Sequence, residues 1–347
     1  MKYGTVSTGN ARLIVFLLFV PAMLAELLTG NAPPMRFFSP LWLLIFVLLY
    51  GCGCLLIREM KVRWDLQWGV LFLAVAYGIV EEGLMTKAFF NPEWEGVGLL
   101  SGYGMYWGVQ WVWTLGVTFS HATISIVVPI TIADHLWPQY RHVATLRRRG
   151  VLWALAGISS ITVMGTLSIG RAEGSRTIPF HPHPVLLMGA CLCVVLLCWL
   201  AYRSRTIRVS TDIVPLLPPS AFFILAFLVI PFFLIVPNLM AKNNAPAMTA
   251  ILAELTMIVL VLLFTFLQLC HHRMSGRHTT ALVLGFLMPW ILLTPFQEFG
   301  TLTPSKNGTG MLAVGIVALI ALLLWRRVVL RGERQASTAT ESTPTSD

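Results

Sequence analysis

Charge is what this sequence has least of. Asp, Glu, Lys and Arg make up 11% of its 347 residues against 56% hydrophobic, and the mean hydropathy is +0.77. That leaves too little polar surface to cover a soluble globule of this length. Cysteine is also sparse. The six cysteines, at 52, 54, 191, 193, 198 and 270, all lie in or beside apolar stretches. They lack the C-x-x-C spacing of a zinc site and the density of a disulfide framework, so they read as small buried hydrophobes. A Walker loop, a dinucleotide glycine fingerprint and an H-E-x-x-H pair are all missing, which leaves no cofactor to expect. Acidic residues number 15 against 24 basic ones, a net charge of +9. The basic residues fall in short clusters between apolar runs rather than on an aromatic-interleaved face, which argues against nucleic acid.

Long apolar runs are abundant. Ten fall near 11–29, 40–57, 67–87, 110–133, 151–169, 184–202, 214–237, 247–269, 279–298 and 309–325, each long enough, or nearly so, to cross about 30 Å of hydrocarbon at about 1.5 Å per residue. The expected fold class is therefore all-α, a polytopic membrane protein of about ten transmembrane helices. A single helical domain spans 1–331. A disordered cytoplasmic tail follows over 332–347, where Ser, Thr and Ala replace the apolar period. Lys and Arg alternate between successive connections, eighteen on the side that holds both termini and six on the other. By the positive-inside rule both termini are cytoplasmic, in a multi-pass protein of the cell membrane whose first partners are lipids.

Intramembrane acids stand out against this background. Glu81 and Glu82 are adjacent in the third run. A charged side chain at the centre of a spanning helix costs about 2.5 to 3.5 kcal/mol, so such a pair needs a polar partner, a wet cavity or a shared proton. Glu26 lies about a turn below the outer end of the first helix, Glu254 near the outer start of the eighth, and Glu298, after Gln297, at the outer end of the ninth. Five carboxylates thus collect in the outer third of the bilayer, and the cytoplasmic half holds nothing comparable. His121, in Thr118-Phe-Ser-His-Ala-Thr-Ile-Ser125, is the only histidine well inside a span, and hydroxyls such as Ser125 can hydrogen-bond it. Lys87, at the outer interface, can snorkel there or reach back. Successive helical residues point about 100° apart, so one Glu of the pair is expected to face the site and the other to be held by a neighbouring helix. A Glu pair with a histidine is equipment for general acid and base chemistry. It serves equally as a proton carrier or cation site, although no metal-ligand spacing supports a bound metal.

Glu81-Glu82-Gly-Leu-Met-Thr-Lys87 resembles the E-E-x-x-x-R signature of the CAAX-protease and bacteriocin-processing (Abi) family, with Thr86 where that family has Arg. A histidine on a later helix about forty residues on is similar to that family too. The resemblance implies a multi-helix glutamic intramembrane endopeptidase acting on a membrane-protein or peptide substrate. Glu81 or Glu82 would activate water, and His121 would stabilise the oxyanion or act as a ligand. Glu26, Lys87, Ser125, Glu254 and Glu298 are the candidate supporting or substrate-binding residues. Three functions stay open: this hydrolase, a proton- or cation-coupled transporter on a five-plus-five helix plan, and a non-catalytic scaffold whose acids pair internally.

Overall fold

The structure is a computed structural model that describes residues 11–168, 180–210, 212–300 and 307–341, the stretch 336–341 by its backbone alone. Ten helices follow one another: α1 (Ala11–Leu28), α2 (Pro40–Arg63), α3 (69–85), α4 (Trp111–Leu136), α5 (Arg148–Ser168), α6 (Pro184–Thr206), α7 (Pro219–Lys242), α8 (Ala247–Leu269), α9 (Gly276–Glu298) and α10 (Met311–Glu341). Among the described residues nine are long and apolar enough to cross a membrane. The helix that falls short is α3, ten α-helical residues continued by seven of wider winding. Proline opens α2, α6 and α7, where its missing N–H would be unpaired in any case.

The expected tail from Gly332 is helical as far as Glu341. Glu333 explains the continuation, since its carboxylate accepts the Gly276 N–H at the start of α9 and ties the last turns of α10 to the bundle. Residues 342–347, and Lys2, Arg171, Arg176 and Lys306 of the charge count, lie outside the described residues.

Two cores divide the bundle, and α4 faces both. Leu13, Leu17, Tyr50, Cys54, Leu73, Tyr77 and Ile126 bring α1, α2, α3 and α4 together, with Ile161 of α5 and Ala201 of α6 at the edge. On the other side of α4, Ile124 packs with Ile230 of α7, Leu287 of α9 and Trp325 of α10. Small residues set the closest approach in the first core, as in membrane bundles generally. A Cβ on Gly51 would stand 2.3 Å from the Leu18 carbonyl oxygen, so α1 and α2 touch backbone to side-chain-free backbone there.

The α3–α4 connection folds onto the end of α3. Lys87 adopts a left-handed conformation (φ 61°) that turns the chain back, and Phe89 packs its ring over Gly83. The Gln110 side-chain amide donates to the carbonyls of Ala88 at 3.1 Å and Asn91 at 2.7 Å. Between them Met105–Tyr106 and Val109–Gln110 pair as a short antiparallel hairpin, closed by Trp107 and Gly108, both at positive φ, as a two-residue hairpin turn requires.

The opposite end of the bundle also buries carboxylates, Glu59 and Asp134, where nothing comparable to the outer group was expected. Arg58, 1% exposed, donates to the carbonyls of Tyr140 and Val143 and to Thr145. Glu59 accepts from the Thr145 N–H at 2.6 Å and from Arg63 at 3.1 Å, and Lys61 pairs with Asp134. These charges pin the α4–α5 connection to the end of α2, so basic residues counted for orientation also hold the fold.

Candidate functional site

The four helices around the first core share a local irregularity. Each carries a π-helical turn: Met23–Leu28 in α1, Val47–Gly51 in α2, Ile79–Met85 in α3 and His121–Val127 in α4. Such turns hold one residue more than the α-helix and recur at functional sites. Pro21 precedes the first and Pro129 follows the last. Proline supplies no N–H and so frees a carbonyl one turn earlier, which loosens the ladder locally. Glu26, Tyr50, Glu81, Glu82, His121 and Ser125 all sit in these four turns.

Their side chains converge. His121 lies between the two acids, its Nε2 3.1 Å from Glu82 Oε1 and its Nδ1 3.1 Å from Glu81 Oε2. The expectation that only one Glu would face the site fails, because the π turn reduces the angle between neighbours and the imidazole presents a nitrogen to each. Glu81, Glu82 and His121 are 3%, 8% and 8% exposed, so the cluster is closed off from bulk solvent. Nδ1 makes its hydrogen bond with Ser125 Oγ at 3.2 Å. Thr86, which stands in place of the Arg in the E-E-x-x-x-R pattern, donates to Glu82 Oε2 at 3.1 Å. The Tyr50 hydroxyl bridges Glu26 Oε1 at 2.5 Å and Glu81 Oε1, and its ring stacks on His121 with centroids 6.1 Å apart.

Glu81 Oε2 is buried and faces His121 Nδ1 at 3.1 Å without an aligned hydrogen bond, and the buried Tyr77 hydroxyl, one turn before Glu81, lies beside the same carboxyl. Tyr77 also walls an apolar groove of about 370 Å³ between α2, α3, α5 and α6, lined by Gly53, Leu56, Val80, Ile158 and Thr162 among others. Ligand atoms of Glu81, Glu82 and His121 lie within 4.8 Å of one another, a set of one imidazole and two carboxylates that suits a divalent transition metal.

The remaining candidates are placed elsewhere. The Lys87 ammonium donates to the Thr166 carbonyl of α5 at 3.0 Å. Glu298 accepts the Leu312 N–H at 3.1 Å and caps the start of α10, which makes it a helix cap rather than a site residue. Glu254 is buried on the far side of α4, against Gly116. Tyr50 and Tyr77 are the site residues that sequence reasoning passes over; a tyrosine in an apolar run carries no distinguishing signal, although its hydroxyl must find a partner when buried.

A second histidine–carboxylate group joins two connections. Asp212 faces His271 Nε2 at 3.2 Å and His272 Nδ1 at 2.6 Å. The His271 Nδ1 accepts the Arg273 N–H at 3.1 Å, so the proton of a neutral ring sits on Nε2 and points at the carboxylate. The group's ligand atoms also lie within 4.8 Å of one another.

Residues 14–321 match the sequence model of an uncharacterized membrane protein family. The chain belongs to that family. The match begins in the first turn of α1 and ends within α10, so it takes in all or part of each of the ten helices and every residue of the Glu–His cluster. No curated protein and no solved structure matches the chain. Family membership and the nine apolar helices make this a multi-pass integral membrane protein in contact with lipid.

Proposed function

We propose that the protein is an intramembrane hydrolase that cleaves a membrane-protein or peptide substrate, with Glu81, Glu82 and His121 as the reacting set. The observation that carries this reading is the division of labour in the cluster. Tyr50 engages Glu81 Oε1, and His121 and Thr86 engage both oxygens of Glu82, while Glu81 Oε2 faces His121 Nδ1 at 3.1 Å without an aligned hydrogen bond. A carboxylate oxygen so placed is fit to accept a proton from water as it attacks a carbonyl. His121, fixed between the two acids, is fit to hold or return that proton. The similarity to the glutamic intramembrane endopeptidases rests on the same residues.

The reading includes ten membrane crossings, with α3 as the tenth, both termini in the cytoplasm and residence in the cell membrane. This places the cluster toward the outer face. Reporter fusions to the two termini and to the 86–110 connection test it: the termini must report one side and the connection the other.

Activity is tested by expressing wild type, Glu81→Gln and Glu82→Gln at matched levels and mapping new peptide termini across the membrane proteome. Wild type alone should generate termini within or beside spanning segments. Identical terminus sets in all three would sink the hydrolase. The second reading is a proton- or cation-coupled transporter, favoured by the Glu26–Tyr50–Glu81 chain, which has the connectivity of a proton relay. It requires pH-dependent uptake in proteoliposomes that is lost in the same variants.

A further inference from the structure

Glu254 stands alone. It lies on α8, 1% exposed, and its Oε2 has no hydrogen-bond partner among the described residues. A Cβ added to Gly116 of α4 would come within 3.4 Å of Glu254 Oε1 and 3.7 Å of the Phe233 ring. The carboxyl thus rests against bare helix backbone, beside the stacked rings of Phe119 and Phe233, whose centroids are 4.6 Å apart. Three residues before Gly116, on the same side of α4, the Trp113 indole N–H is also buried and unbonded.

The neighbouring helices supply no charge to pair with it. Residues 111–120 of α4 contain no titratable side chain, α7 has only Lys242 at its last position, and the rest of α8 has none. Gly116 and His121 are five positions apart, about 140° around the helix, so α4 separates Glu254 from the Glu–His cluster. An ionised carboxylate in this position would be desolvated without compensation, which proteins avoid by neutralising the group.

We propose that Glu254 is a second proton-binding site, at the α4–α8 seam and independent of the Glu–His cluster. The ligand is a proton, taken from water as the carboxylate becomes the neutral acid and returned to water when the O–H bond breaks. Such a site fits a protein that moves or senses protons, whatever the chemistry at Glu81.

Infrared difference spectra of wild type minus Glu254→Gln in lipid nanodiscs at neutral pH test it. The expected difference is the C=O stretch of a protonated carboxyl, shifted when water is exchanged for D₂O. Ionised-carboxylate bands in its place would overturn the proposal. Glu81→Gln should retain the Glu254 band, which separates this result from the fate of the hydrolase reading. If Glu254→Gln does not fold, wild type alone is treated with dicyclohexylcarbodiimide, which enters lipid and modifies protonated carboxyls. Mass spectrometry should find the adduct on Glu254, and an unmodified Glu254 counts against the site.

Discussion

Replacing Tyr50 with Phe is the sharpest probe of how the cluster is held. The phenol has one proton, yet its oxygen contacts both Glu26 and Glu81. Only one contact is a Tyr50 donation at any moment, and the other needs a proton from a carboxyl. Phenylalanine keeps the ring that packs on Phe46, Tyr77 and His121 and opens no cavity. It removes the bridge, leaving two buried carboxyl oxygens without a partner. At about 1 to 3 kcal/mol for each stranded group, the loss is about 2 to 6 kcal/mol, a large part of the ~5 to 15 kcal/mol that keeps a typical protein folded. Unfolding in mixed micelles, followed by tryptophan fluorescence, measures it. A cycle with Glu26→Gln isolates the bridge, since an amide can satisfy itself differently: Tyr50→Phe should cost less in the Glu26→Gln background. Equal stability of Tyr50→Phe and wild type would refute the bridging role.

Three further outcomes follow from the packing and the connections. Gly51→Val forces α1 away from α2, because its Cβ meets the Leu18 carbonyl oxygen at 2.3 Å; overpacking of this kind costs about 1 to 3 kcal/mol, and the variant should lose both stability and the Glu26–Tyr50 contact, read by the same unfolding assay. Glu298→Gln weakens the cap on α10, so amide exchange should rise over 310–313 while the peptide termini that test the proposed hydrolase stay those of wild type, and a changed terminus set would return Glu298 to the site. The hydrogen bond from His272 holds the Asp212 carboxyl below its usual range. A depressed carboxylate stabilises above its unfolded value and loses that contribution as pH falls through its folded one, so amide exchange around 271–275 should accelerate in acid, and Asp212→Asn should abolish that pH step.

The parts of the fold legible in sequence are those where lipid imposes a strong rule. Apolar length located the helices, and only α3, whose last seven residues are wound wide, fell short of a full span. A charge inside an apolar run is conspicuous, so Glu81, Glu82, His121 and Glu26 could all be singled out, and the structure gathers them. What sequence did not carry is the winding. A π turn leaves the apolar pattern nearly unchanged, so nothing revealed that both acids would meet one imidazole. Glu298 shows the opposite limit: an acid at a helix end has the same signature whether it serves a site or a cap. Arg58 and Glu59 were hidden in a charged stretch read only for orientation, and depth alone could not show that Glu254 lies on the wrong side of α4 to join the cluster.

The four wide turns give the cluster an unusual sensitivity to chain length. Removing one residue from any of them would restore ordinary winding, keep the flanking helix nearly in register and re-aim the side chains inside the turn, while the apolar length needed to insert would scarcely change. A protein shortened in this way would still reach the membrane and still resemble its parent in hydropathy, yet its acids and histidine would no longer meet. In such a chain the information for insertion and the information for chemistry reside in different features of the same helices, and one can be erased without touching the other.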